Sequence, residues 1–177
     1  MKNIARNTLT YSGKVTLSQW VGSKKIVVGQ THNSGGKLLF DFLASCFIGD
    51  FGGAYSKLPR QIGIYTEKNG LISSGHKFPL IAAAKQVEST AKNSTVRYSF
   101  SIPFEVISSI SSFENVYIGL YPENPINPDA AYADYLANFS LRDLKKSSFF
   151  LNSALVVDWD LQIINGGTAY DESTLSD

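Results

Sequence analysis

The sequence predicts a mainly β protein, an antiparallel and jelly-roll-like β-sandwich with one or two helices. Three observations support this fold class. Near the end of the chain, residues 153–164 alternate between an apolar and a more polar face, as a half-buried strand does. The chain has 11 Phe and 9 Tyr but one Met, which suits short strands and aromatic packing. One apolar segment, residues 37–48, runs without Gly or Pro.

The first half of the chain is expected to open with a hairpin. Residues 15–21 and 25–29 are rich in apolar and β-branched side chains and are separated by Gly22-Ser23, which predicts two strands joined by a tight turn. The elements expected next are a loop at 30–36, turns at 50–53 and 56–59, a strand at 61–65 and a turn at 68–70.

The segment 37–48 is the most convincing helix. It ends at Gly49, a residue type that commonly follows a helix C-terminus. Its side chains are apolar nearly all round, so we expect it to be buried between a sheet and another element. Cys46, the single cysteine, is expected to be a buried and inert thiol in this setting. A single cysteine also excludes an intramolecular disulfide.

The second half is expected to be largely strands. Residues 96–102 and 116–121 both alternate between two faces, and Pro103 should end the first of these strands or place it at an edge. The stretch 122–129 carries three prolines, which predicts an exposed loop of fixed shape. A short helix is expected at 130–139, followed by the final strand after residues 149–151.

Length and charge favour one soluble domain with a protein or polar partner. The 177 residues fit a single domain over 1–170, with 171–177 as an acidic, flexible tail. The net charge of +1 gives no field that would attract nucleic acid or an anionic membrane. We find no signal peptide and no apolar run of roughly 20 residues, so synthesis in a cytoplasm is expected.

Possible chemical sites are weak in this sequence. Around Gly36-Lys37, Thr31 replaces the first glycine of a phosphate loop and Leu38 replaces its hydroxyl residue, so a glycine-rich helix start is the better interpretation. Asp158 and Asp160 share a strand face at about 7 Å. They suit a glycosidase or cation site in principle, but a solvated polar face is the simpler interpretation.

The two histidines do not suggest a metal centre. His32 and His76 have no acidic or thiol neighbours at ligand spacing, and the sequence contains no nucleophile elbow. We therefore expect no catalytic residue, no metal and no cofactor.

The proline-rich loop and its tyrosines are the best candidates for a binding surface. Rigid loops bind partners at a small entropic cost, and tyrosine is enriched at interfaces. Tyr135 belongs to the same aromatic group, although core packing remains an alternative for each tyrosine. The predicted interface residues are Tyr117, Tyr121, Pro122, Asn124, Pro125, Asn127, Pro128 and Tyr132.

Four segments carry a resemblance to a known family. They are Asn7-Thr-Leu-Thr-Tyr-Ser-Gly-Lys-Val, Gly35-Gly-Lys-Leu-Leu-Phe-Asp-Phe-Leu-Ala, Leu58-Pro-Arg-Gln-Ile-Gly-Ile-Tyr and Ala154-Leu-Val-Val-Asp-Trp-Asp-Leu. In this order the chain resembles small virion proteins of tailed bacteriophages, and it is most similar to those of crAss-like phages of gut Bacteroidota.

The resemblance implies a non-enzymatic β-sandwich that packs on a capsid or neck. Its role would be that of an auxiliary capsid protein, a head-fibre part or a ring component. The implied partners are capsid, portal or ring subunits and further copies of the chain, with no nucleic acid and no membrane, and the implied location is the virion. The alternative is a carbohydrate-binding β-sandwich in which Trp20, Tyr117 or Tyr121 stacks on sugar. A third class, an enzyme using Asp158 and Asp160, has no direct support in the sequence.

Overall fold

The computed structural model of the chain describes residues 9–66, 70–71, 78–90, 92–122, 135–150 and 152–165. The strands are β1 (Leu9–Val21), β2 (Lys24–His32), β3 (Ser34–Gly35), β4 (Gln61–Thr66), β5 (Gly70–Leu71), β6 (Phe78–Pro79), β7 (Lys85–Ser89), β8 (Asn93–Ile102), β9 (Val116–Tyr121), β10 (Ala137–Ser140) and β11 (Leu155–Asn165). The helices are α1 (Lys37–Phe47), α2 (Phe51–Ser56) and α3 (Phe104–Ser109), with a 3-10 turn at Lys146–Ser148.

The strands form two antiparallel sheets. Sheet A has the order β2-β1-β11-β8-β7, and sheet B has the order β3-β10-β9-β4-β5, with β6 also paired to β4. Strand β11 is central in sheet A, with long ladders to β1 and β8 on either side. The predicted mainly β, antiparallel sandwich is therefore confirmed.

One apolar core joins the two sheets. Trp159 on β11 is 0% exposed, and its ring centroid lies 5.1 Å from that of Phe139 on β10. Leu155 and Val157 share the inner face with Trp159 and are also buried, as the alternation along this strand predicted. Ile163 is the exception, because it lies at the rim of the sandwich and is partly exposed.

The first hairpin forms as predicted, although both strands are longer: β1 begins at Leu9 and β2 extends from Lys24 to His32. Gly22 has a φ of 60°, the positive value that the first position of a two-residue hairpin turn favours. Strand β2 continues to His32, and β3 follows it, so most of the loop expected at 30–36 is extended backbone. This backbone is extended because it pairs with other strands. Thr31 lies opposite Val15 of β1, and Gly35 lies opposite Ala137 of β10.

Helix α1 occurs where it was predicted, but it is not buried all round. Leu38 and Leu39 enter the core, whereas Phe40 and Phe47 are exposed. Cys46 is exposed as well, so the expectation of a buried thiol is wrong. A second layer does not cover the outer side of α1 in the described part of the chain.

Two short helices were not predicted, and the first replaces an expected turn. Around 50–53 the glycines suggested a turn, but α2 forms because Asp50 caps it, with its Oδ1 accepting a hydrogen bond from the Gly53 N–H at 2.9 Å. Pro103 ends β8, as predicted, and also precedes α3, for which its φ of −55° is suitable.

The helix expected at 130–139 is wrong at its C-terminal end. Residues 137–140 form β10, which pairs with β9, and the Leu136 N–H donates to the Leu120 carbonyl at 2.7 Å. The hydrogen bonds that this alanine-rich stretch makes with β9 outweigh its local preference for helix. Residues 130–134, the turn expected at 68–70 (apart from residue 70), most of the proline-rich loop and the C-terminal tail lie outside the described residues.

Candidate functional site

The predicted interface loop is only partly described. Tyr117, Tyr121 and Pro122 are described, whereas the predicted residues outside the described ranges are Asn124, Pro125, Asn127, Pro128 and Tyr132. Tyr117 is half-buried, but Tyr121 is 1% exposed and Pro122 is also buried. The Pro122 carbonyl accepts a hydrogen bond from Gln61 Nε2 at 2.7 Å. Tyr121 and Pro122 therefore contribute to packing within the chain rather than to an exposed platform.

The tyrosines near this loop form a cluster on sheet B. Tyr65 on β4 lies directly opposite Tyr117 on β9, and their ring centroids are 5.4 Å apart in a stacked arrangement. The Tyr135 ring also stacks on Tyr65, at 6.1 Å. The Tyr65 hydroxyl accepts a hydrogen bond from Asn138 Nδ2 at 2.6 Å. The sequence grouped Tyr117 with Tyr135 correctly, but it gave no sign of Tyr65, which joins them through strand pairing.

The outer face of sheet A carries the two aspartates in ion pairs. Asp158 Oδ2 contacts Lys25 Nζ at 2.7 Å, and Ser99 Oγ donates to Asp158 Oδ1 at 2.6 Å. Asp160 binds the Arg97 guanidinium through two hydrogen bonds of 2.7 and 2.8 Å. Asp158 is only 9% exposed, so the expectation of a solvated face is wrong for this residue.

The electrostatics of Asp158 favour its charged form. Burial raises the pKa of Asp158, but the hydrogen bonds from Lys25 and Ser99 outweigh it, and the pKa lies below its usual value. The hydrogen bond to Asp160 raises the pKa of Arg97. A carboxyl held in its ionised form by a cation is a poor proton donor, so Asp158 lacks the environment of a general acid.

Trp20 lies at one corner of the same face. It is paired with Lys25 across the β1–β2 hairpin, and 52% of it is exposed. Val27, on the same outer face, is also exposed. Of the three aromatic residues considered for sugar stacking, Trp20 is the one whose ring is most available.

Among the described residues, several highly exposed apolar side chains lie along α1 and at the start of α2. The residues that we call the α1 surface are Phe40, Ala44, Phe47, Ile48 and Phe51. The three phenylalanines are 59%, 73% and 75% exposed, and Ile48 is 79% exposed. The spacing i, i+4, i+7 and i+8 from Phe40 to Ile48 places the first four residues on one side of α1. Phe51 lies beyond the turn at Gly49 and begins α2. The sequence indicated an apolar surface of this kind, because a helix that is apolar nearly all round needs a packing partner on each side.

Two apolar cavities lie between α1 and the inner face of sheet A. The larger one, of about 370 Å³, is lined by Tyr11, Leu39, Phe42, Leu43, Cys46, Phe47, Ser94, Val96, Tyr98, Leu161 and Ile163. The other, of about 300 Å³, is lined by Thr10, Tyr11, Phe40, Leu43, Ala44, Phe47 and Ile163. Phe47 contributes to both, so the α1 surface is continuous with the space beneath the helix.

The polar groups near the cavities are held in neutral form. Burial raises the pKa of Tyr11 to about 12, although a hydrogen bond from Asn33 opposes this shift. Burial also raises the pKa of Tyr98. These phenols stay protonated at neutral pH, so the cavities present neutral walls and suit apolar side chains.

The remaining sequence candidates do not form a chemical centre. The Gly36 N–H donates to the Leu136 carbonyl at 2.8 Å, so it takes part in the fold at the glycine-rich start of α1. His32 Nδ1 lies 3.3 Å from the Gly13 carbonyl, and His76 lies outside the described residues. Within the described ranges no group of three His, Cys, Asp or Glu side chains is placed to hold a metal ion, and no helix is long and apolar enough to cross a membrane.

Comparisons with known proteins add nothing to this geometry. No family model, no curated protein and no solved structure matches the chain. Functional proposals therefore depend on the residues and contacts of the described part of this molecule, in which Phe47, Ile48 and Phe51 of the α1 surface are the most exposed large apolar residues.

Proposed function

We propose that the chain is a non-enzymatic structural protein of a phage virion that assembles on a capsid, head fibre or neck or tail ring through repeated protein–protein contacts. The observation that carries this proposal is the α1 surface. The resemblance of the four sequence segments to small virion proteins supports the same role. It is also the reason why we propose a phage virion as the particle.

The size of the α1 surface favours a protein partner. With side-chain areas of 150–250 Å² for Phe, the exposed fractions leave on the order of 400 Å² on Phe40, Phe47 and Phe51 alone. Contiguous apolar patches of this size on a monomer are often functional. Exposed phenylalanines are costly in water, and burial against a second protein removes that cost.

The first experiment is quantitative mass spectrometry of purified virions of the phage that encodes the chain. Abundance comparable to that of the major shell protein indicates capsid decoration or a fibre, and a low, fixed stoichiometry matching the portal indicates a ring. Absence from the particle would overturn the proposal.

A binding assay then tests the surface itself. Purified chain is added to particles that lack it, and the bound fraction is measured after sedimentation. Phe47→Ser should reduce binding strongly, because it removes an exposed anchor from the α1 surface. Val27→Ser, an equally conservative loss of an exposed apolar side chain on the other face of sheet A, should bind as the wild type does.

A carbohydrate-binding module remains the second candidate, and the exposure of Trp20 is the observation in its favour. An indole ring beside Lys25 and the Asp158 ion pair offers a stacking face with polar groups nearby. Binding on a glycan array that disappears in Trp20→Ala, but persists in Phe47→Ser, would place this function ahead of the virion role.

A further inference from the structure

The α1 surface has an internal symmetry. Ala44 is its smallest member, and Phe40 and Ile48 lie four residues before and after it. At 1.5 Å per residue, each large side chain stands about 6 Å from Ala44 along the helix axis. A two-fold rotation about Ala44 therefore exchanges the Phe40 position with the Ile48 position.

We propose that α1 packs antiparallel against α1 of a second copy of the chain, across a two-fold axis that passes near Ala44. This inference rests on the proposed function, since it takes the α1 surface to be an assembly interface and names its partner. The contact is isologous, so each copy uses the same residues. Phe40 then packs against the partner's Ile48, and the small Ala44 allows the two helices to approach closely.

The charges at the two ends of the surface are complementary under this rotation. Lys37 is the first residue of α1, and Asp50 follows the Gly49 turn at the C-terminal end of the helix, where its N–H donates to the Ser45 carbonyl at 2.9 Å. Both are exposed. The Lys37 side chain is 86% exposed, with its Nζ 2.6 Å from Asp41 Oδ2. The two-fold axis brings Lys37 of each copy near the partner's Asp50, which gives two attractive pairs for each dimer. A parallel arrangement would instead bring like charges together.

The area of the surface agrees with that of a dimer interface. A standard interface buries roughly 800 Å² on each partner, and in homodimers about 65% of it is apolar, or roughly 500 Å². The three phenylalanines supply on the order of 400 Å² of this, and Ile48 adds to it. The cavity lined by Phe40, Ala44 and Phe47 gives the partner's side chains room to enter.

Sedimentation equilibrium of the full chain at tens of micromolar tests the proposal. We expect the wild type to be dimeric and Ala44→Arg to be monomeric, because the long cation occupies the centre of the contact. Ala44 is exposed within the helix, and Arg is a good helix former, so circular dichroism should show an unchanged fold. Val27→Arg, on the other face of sheet A, is the matched control and should remain dimeric.

Cross-linking tests the position of the axis. In a Cys46→Ser background, Ala44→Cys should form a covalent dimer under mild oxidation, since the two thiols meet at the axis. The wild-type chain is its own control, because Cys46 is about 200° around the helix from Ala44 and should not cross-link. Lys37→Glu and Asp50→Asn, the second of which retains the cap of α2, should each weaken the dimer several-fold.

A monomeric wild type, or a dimer that Ala44→Arg leaves intact, overturns this inference. The particle-binding assay separates that failure from a failure of the proposed function. If a monomeric chain binds particles and Phe47→Ser does not, the α1 surface serves a different virion protein, and the virion role stands without the dimer.

Discussion

At the scale of single residues, the buried polar side chains of Asp158 and Gln19 bind distant parts of the chain. The sequence predicts on which face of a strand such a side chain lies, but it does not predict the distant residue to which that side chain binds. The alternation of β11 predicts the face on which Asp158 lies, but its partner Lys25 is 133 residues away in sequence. Gln19 shows the same limit. It is 0% exposed, and its side chain binds the carbonyls of Phe150 and Ser153 at 3.1 and 2.7 Å. No local pattern in β1 indicates this contact.

The Asp158 ion pair predicts a pH-dependent stability. Because the folded-state pKa of Asp158 lies below its unfolded value, the stabilisation is complete above the unfolded pKa of about 4 and is lost as pH falls through the folded pKa. Asp158→Asn should reduce the free energy of unfolding by about 1–2 kcal/mol at neutral pH, and the difference should shrink below pH ~4.

Urea denaturation of both proteins across this pH range measures the effect. Asp143→Asn, the same change at an exposed carboxylate, should alter stability little at any pH. A wild-type advantage over Asp158→Asn that stays constant through the acid range would contradict the ion-pair explanation.

At the scale of elements, close backbone approaches determine how α1 begins. Gly36 is the residue before the helix, and a Cβ atom there would lie 2.2 Å from the Tyr135 carbonyl oxygen. That oxygen belongs to the main chain leading into β10, which is paired on both sides and has little freedom to move. Glycine at this position therefore allows α1 to start beside sheet B.

Gly36→Ala should destabilise the protein by about 1–3 kcal/mol, the usual cost of forcing extra volume into a packed site. Gly52→Ala is the matched control. Its Cβ would meet its nearest neighbour, Asp50 Oδ1, at 3.8 Å, and alanine in the helix should be neutral or stabilise it by up to about 1 kcal/mol. Thermal unfolding, monitored by circular dichroism, distinguishes the two variants. Equal effects of the two substitutions would refute the proposed clash at Gly36.

The elements that sequence reasoning predicted are those with a strong local pattern. The strands β1, β8, β9 and β11 alternate over many residues, and α1 is a long apolar run closed by a glycine. The elements missed include α2, which a single aspartate caps, and β10, whose conformation depends on β9. The short strands β3, β6 and β7 and the helix α3 were not predicted either. The surface of α1 was missed for a related reason, since periodicity tells which residues are apolar but not which side the rest of the chain covers.

At the scale of the whole molecule, one core makes the two sheets interdependent. Phe139 of sheet B and Trp159 of sheet A are in edge contact, and both belong to the cluster that includes residues of α1. A chain with a single shared core is expected to unfold in one cooperative transition. Sequence predicted the sandwich, but not the order of its strands, because that order depends on pairs far apart in the chain.

Phe139→Ala should therefore affect both sheets at once. Removal of a buried Phe costs about 3–5 kcal/mol, which corresponds to a decrease in Tm of roughly 6–20 °C for a chain of this length. Tryptophan fluorescence, to which the buried Trp159 and the exposed Trp20 both contribute, and far-UV circular dichroism should shift together. Phe150→Ala, at a residue 38% exposed, should lower Tm less. Separate transitions in the two signals would mean that the sheets unfold independently.

The pairing of the outermost residues of β1 and β11 has a consequence for protein engineering. Leu9 lies opposite Asn165 at the end of their ladder, so the first and last described residues of the sandwich lie side by side. A domain of this kind is suited to insertion within a loop of another protein and to circular permutation. The Gly22-Ser23 turn, at the other end of β1, is the natural position for the new ends.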